Sequence, residues 1–112
     1  MREDLRNRVE YINNFYRAGG FSFTPDIIEG LKPPDVADII SELESELRIP
    51  FFTSIAPDLA AEIFPVLDEG IESEILAELD PEAIALLINR IASRGAADAL
   101  NLLPREKVNL VL

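Results

Sequence analysis

"LKPPDVADIISEL", residues 31–43, returns as "IAPDLAAEIFPVL" at 55–67 and as "LDPEAIALLINRI" at 79–91. Each copy opens on Leu or Ile, has Pro two places on and Ala at the seventh place, and closes on Leu or Ile at the thirteenth. The step underneath is shorter than 24 residues. Leu or Ile stands at 31, 43, 55, 67, 79, 91 and 103, twelve apart without a miss. Eight places after each comes an apolar pair: Ile39-Ile40, Phe51-Phe52, Ile63-Phe64, Ile75-Leu76, Leu87-Ile88, Ala99-Leu100 and Val111-Leu112. One step earlier, Ile27-Ile28 fits as well. In a chain that is 48% apolar, chance fills every one of these places only about once in ten million trials, so the repeat is a structural unit.

Twelve residues make one short helix and a turn. Within a unit the pair and the next Leu/Ile stand at i, i+1 and i+4, which is one face of a helix. Alternate units carry helix-start signals: Thr24-Pro25-Asp26, Lys32-Pro33-Pro34-Asp35, Ala56-Pro57-Asp58, Asp80-Pro81-Glu82 and Leu103-Pro104. Proline is tolerated at the first helical position because its missing N–H has no partner there anyway. An acid in the first turn meets the positive end of the helix dipole. Pro50 and Pro65 fall outside this pattern and predict shortened or distorted helices around 48–54 and 57–66. Gly70 and Gly95 read as turns. Two steps form a helical hairpin of 24 residues, and hairpins that cannot bury a face alone must stack. The expectation is an all-α solenoid of short helices in 12/24-residue repeats. No sustained apolar/polar alternation competes for a β reading.

Residues 1–112 read as one domain, with an N-terminal helix over 1–18 and repeats over 24–112. The opening helix lines up Leu5, Val9, Ile12 and Tyr16 along one stripe. Phe15, Tyr16, Phe21 and Phe23 are expected to cap the first end of the stack. The far end stops on "VNLVL" in mid-unit, and a solenoid needs a polar terminal cap, which predicts either an end in contact with something else or, in preference, a piece of a longer protein.

The composition excludes several functions. There is no Cys and no His, so thiol chemistry, the commonest general base and the commonest zinc ligand are all missing. The serines have no His or Lys at a recognisable spacing, and Gly19-Gly20 lacks the Lys and strand context of a phosphate loop. An enzyme is not expected. Every apolar run is short and broken by charge, so no segment is expected to enter a membrane. The start is charged and lacks the apolar stretch of a secretory signal, which argues for the cytosol.

The net charge is −11 and uneven. Residues 26–82 hold 16 acids against Lys32 and Arg48, a balance of −14. Such a surface repels nucleic acid and suits hard cations or a basic partner. "ELESEL" at 42–47 and "LDEGIESE" at 67–74 are acid-dense but lack the ligand spacing of a calcium loop. They read as solvated faces with weak cation affinity. The place just before the apolar pair holds Asp38, Glu62, Glu74 and Asp98 in four units. Carboxylates at the edge of a buried stripe are ordinary boundary residues, or they share a hydrated divalent ion such as Mg²⁺, which keeps several waters and takes one or two carboxylates.

"IIEGLKPPDVADIISEL", "DLAAEIFPVL", "EILAELDPEAIALLINRI" and "GAADALNLL" resemble, in order and spacing, the cytosolic N-terminal domain of the MgtE magnesium transporters. The resemblance runs from about residue 5 to the end. It implies a right-handed superhelix on the cytoplasmic face of the membrane, followed in the chain by CBS domains, a connecting helix and a pore. It also implies Mg²⁺ as a regulatory ion, bound between acids of this domain and the CBS domains of the same chain so that the pore closes when the ion is plentiful. Glu62 in "AAEIF" and Asp98 in "AADAL" match acidic positions used in that way. A third family acid, one turn before Asp98, is Arg94 here. A guanidinium there repels Mg²⁺ and is expected to weaken, move or abolish the Asp98 site. The middle domain of the flagellar switch protein FliG has similar short phrases, and it supplies the rival expectation: a protein-interaction scaffold without ion sensing.

Overall fold

The structure, a computed structural model, describes residues 2–19 and 25–111, apart from the side chains at 25, 26, 93, 94 and 111. Phe21, Phe23 and Thr24 lie outside the described residues. The described residues form eight α-helices and two short 3₁₀ helices, with no strand. In order these are α1 (Glu3–Arg17), a 3₁₀ turn at Pro25–Ile28, α2 (Pro33–Glu42), α3 (Ser45–Ser54) and α4 (Pro57–Ile63). A second 3₁₀ turn at Phe64–Val66 follows, then α5 (Glu69–Glu78), α6 (Pro81–Arg90), α7 (Ser93–Leu102) and α8 (Arg105–Val111).

The start signals act as expected at three helices. Pro33, Pro57 and Pro81 stand in the first turns of α2, α4 and α6. At α6 the Asp80 side chain accepts from the Ala83 N–H at 2.8 Å, which satisfies one of the orphan donors of a helix N-terminus. At α2 the Asp35 carboxylate accepts from the Lys32 N–H at 3.4 Å. Thr24-Pro25-Asp26 leads only into the 3₁₀ turn, not into an α-helix.

The helix ends differ from the sequence reading in an instructive way. The twelve-residue spacing puts Leu43, Ile55, Leu67, Leu79, Ile91 and Leu103 on the helical face, but each is a C-cap residue in extended backbone. Each N–H still reaches back to a carbonyl of its own helix, as Leu79 does to Ile75 at 3.0 Å and Ile91 to Ile88 at 3.2 Å. The chain then turns, and the next residue is already the N-cap of the following helix. All six side chains are buried. A large apolar side chain at the link plugs the gap between successive helices, and each of these six connections is two residues long.

The apolar pairs supply the rest of the core. Ile39, Ile40, Phe51, Ile63, Phe64, Ile75 and Leu76 are wholly excluded from solvent, and Phe52 meets Phe64 edge-to-face with ring centroids 6.2 Å apart. Full burial of such a side chain contributes about 1.5–3 kcal/mol. Packing runs between alternate helices: α1 on α2, α2 on α4, α4 on α6 and α6 on α8, with α3 on α5 and α5 on α7 beside them. The molecule measures 40 × 26 × 21 Å. Five helices in one row at 8–10 Å spacing account for the long dimension. Leu5, Val9 and Ile12 seat α1 on the end of this row, with Tyr16 packed against the same core. Phe15 and Tyr16 meet edge-to-face at 5.8 Å.

Basic side chains close several helix C-termini. Arg48 donates to the carbonyls of Ile40 and Ser41, both at 3.0 Å, and to Glu74 at 3.0 Å. Lys107 of α8 donates to Leu76, Ala77 and Leu79 at the end of α5, at 3.0, 2.6 and 2.6 Å. The orphan carbonyls and the negative end of the dipole both favour a cation there.

Pro65 acts as predicted: α4 stops at Ile63 and the chain tightens into the 3₁₀ turn, because Pro65 has no N–H for the Ala61 carbonyl. Pro50 does not act as predicted. It sits inside α3, which still runs ten residues. The missing N–H faces Glu46, and both residues are exposed, so water can take the freed carbonyl. Gly70 and Gly95 are not turns; they lie inside α5 and α7. A Cβ on Gly95 would stand 2.7 Å from Ile91 Cγ2 and 3.2 Å from Pro65 Cγ, so its bareness lets α7 approach the Pro65 turn. The backbone conformation that favours glycine occurs at Gly30, φ +79°, where the chain turns into α2.

Candidate functional site

The four boundary acids do not share one fate. Asp38, Glu62 and Asp98 are exposed. Glu74 is half-buried and neutralised by Arg48. Among the described residues, neither the Glu62 nor the Asp98 side chain takes part in a hydrogen bond or an ion pair. Glu62 sits on the last turn of α4 and Asp98 in the middle of α7. The structure does not bring these two into one site. The side chain of Arg94 lies outside the described residues.

Asp98 faces a cavity of about 400 Å³ that Glu62 does not line. Pro65 and Leu67 form one wall, Glu69 and Glu72 of α5 a second, and Gly95, Asp98, Asn101 and Leu102 of α7 the third. Glu72 is the unexpected member. It is 7% exposed, the one buried charged residue among those described, and its side chain has no hydrogen-bond or ion-pair partner among them. Burial pushes its carboxyl up from the usual 4.5 to about 7, with smaller contributions from the negative charges of Glu69 and Asp98. No three acidic side chains among the described residues converge closely enough to form a metal centre.

A second, apolar cleft of about 260 Å³ lies between α4 and α6, floored by Phe52, Ile55, Ala60 and Leu87, with exposed Leu86 and Arg90 at its edge. Arg90 reaches Asp58 at 3.3 Å. No described helix is long and apolar enough to cross a membrane.

Compared with known protein families, residues 31–112 match the MgtE intracellular N domain. The chain belongs to that family. The matched residues begin two places before α2 and take in every later helix; α1 lies outside the match. MgtE N domains are the cytosolic N-terminal part of magnesium transporters. No curated protein matches the chain.

"LDEGIESE" reads as a solvated face, yet the fold of this MgtE N domain buries Glu72 within it. Glu72 occupies the same register as Val36, Arg48, Ala60, Ile84, Ala96 and Val108, twelve residues apart. Five of these seven places are apolar. The register therefore marks Glu72 and Arg48 as charges on a stripe that otherwise packs inward. Arg48 escapes by donating to carbonyls and to Glu74. Glu72 has no such outlet among the described residues.

Proposed function

We propose that this chain is the cytosolic regulatory domain of a magnesium transporter, a right-handed superhelix that supplies one half of a Mg²⁺ sensor. The family membership together with the free carboxylates of Glu62 and Asp98 carries this reading. Mg²⁺ takes one or two carboxylates and retains several waters. Single exposed acids without partners fit that demand as half-sites, and the lack of a converging acidic cluster among the described residues fits a site completed by another surface. The CBS domains of the same transporter are the proposed second surface. Two acidic faces repel until a cation bridges them, so a plentiful ion favours the closed assembly. This domain then regulates transport and does not itself carry the ion.

The apolar cleft between α4 and α6 favours a second role, a protein-docking scaffold of the FliG type, operating with or without the ion. The two are separated by an amide NMR titration with MgCl₂ against NaCl of equal ionic strength. Saturable shifts around Glu62 or Asp98, lost in Glu62→Gln or Asp98→Asn, are expected for the sensor. Uniform shifts identical in both salts would leave only diffuse screening and put the scaffold first.

A further inference from the structure

We propose that the cavity between α5 and α7 is a socket for an alkylammonium group: a primary amine on an apolar stem. Glu72 carries the argument. Glu72 is a residue 93% covered by protein whose side chain has no partner among the described residues, and it lines a cavity large enough for a small ligand. A lone buried charge is unfavourable unless something neutralises it. The cavity supplies two more carboxylates, Glu69 and Asp98, and the amide of Asn101, while Pro65, Leu67 and Leu102 form apolar wall.

This mixture discriminates between cations. A bare or partly hydrated Mg²⁺ demands oxygens in a tight octahedron at about 2.0–2.1 Å. The described acids do not converge in that way. An ammonium donates three hydrogen bonds of about 2.8 Å in separate directions, so it tolerates carboxylates spread around a cavity. Its methylene stem covers the apolar wall, which a metal ion leaves unused. The elevated proton affinity of Glu72 has the same cause, an unpaired buried charge. The amine comes either from a free diamine or from a lysine side chain of a partner chain. The proposal does not depend on the magnesium reading, although both engage Asp98.

The test is calorimetry and amide NMR on the whole chain with 1,4-diaminobutane, with a lysine-containing peptide and its norleucine counterpart, with tetramethylammonium and with MgCl₂, at matched ionic strength. Arg94 is the basic residue of α7, so wild type and Arg94→Met are both titrated. Saturable binding in either protein is expected, with shifts at Glu72, Gly95 and Asn101, at least tenfold weaker in Glu72→Gln and unchanged in Glu82→Gln, an exposed acid of α6 outside the cavity. Binding of the diamine identifies a free amine as the ligand; binding of the lysine peptide alone identifies a partner side chain. Either result supports the socket. Absence of binding in both proteins, equal binding by Glu72→Gln, or equal shifts from tetramethylammonium overturns it. So does MgCl₂ alone shifting these residues. Loss of Mg²⁺ response at Glu62 bears on the sensor and leaves the socket untouched.

Discussion

Glu72→Gln should make the protein more stable at alkaline pH, and the pH dependence should show why. Glutamine keeps the size and removes the charge. The folded carboxyl titrates near 7, against 4.5 for the ordinary group. Below about pH 4.5 both folded and unfolded states hold the proton, and the shift has no effect on stability. Between 4.5 and 7 the folded state binds more protons than the unfolded state, so stability falls as pH rises. Above 7 the full penalty is present. At 1.36 kcal/mol per unit the ceiling is about 3 kcal/mol, and relaxation of the solvent-open cavity lowers it to roughly 1–3 kcal/mol. Urea denaturation of wild type and variant at pH 4, 5, 6, 7 and 8 gives the difference directly, and the other acids, common to both proteins, cancel. The variant is expected to gain on the wild type progressively between pH 4.5 and 7 and to hold a constant lead beyond. A pH-independent difference, or a variant less stable at pH 8, would refute the reasoning. The first would mean that the carboxyl titrates in the folded chain as it does in the unfolded one, and the second that the ionised carboxylate has a favourable partner there.

Gly95→Ala forces a Cβ against Ile91 and Pro65 and should cost about 1–3 kcal/mol in urea denaturation, whereas Gly70→Ala, with nothing within 4 Å, should be neutral or stabilise by up to about 1 kcal/mol. Lys107→Met strips three donors from the end of α5; a loss of about 1–3 kcal/mol is expected, with faster amide hydrogen exchange in the last turn of α5, and unchanged exchange there would contradict the capping role. Ile55→Ala empties the plug between α3 and α4 and should destabilise by about 2–4 kcal/mol; a loss below about 1 kcal/mol would show that the link residue is not part of the core.

Much of the helix plan was legible because it is written in local chemistry. Proline at the first turns of α2, α4 and α6, and the twelve-residue spacing of Leu or Ile, announce starts and stops that need only neighbours along the chain. Pro65 obeyed the same local rule. Pro50 did not, because an exposed proline with an exposed carbonyl one turn back loses little to water. Gly95 misled for the opposite reason: its lack of a side chain serves a contact with Pro65, thirty residues away, which no local rule contains.

The site divides along the same line. Which residues are apolar, and at what period, is written along the chain, and it implies short helices packed side by side; phrases in the same chain point to the family that the match over 31–112 establishes. Glu62 and Asp98 could be singled out from their phrases, but not their separation between α4 and a cavity on α7. Tertiary packing alone decided that Glu72 is buried while Glu69, three residues earlier on the same helix, is exposed. Both are glutamates in one acidic run. Solvent exposure is set by which face the neighbouring helix covers, and that neighbour, α7, lies more than twenty residues further along the chain.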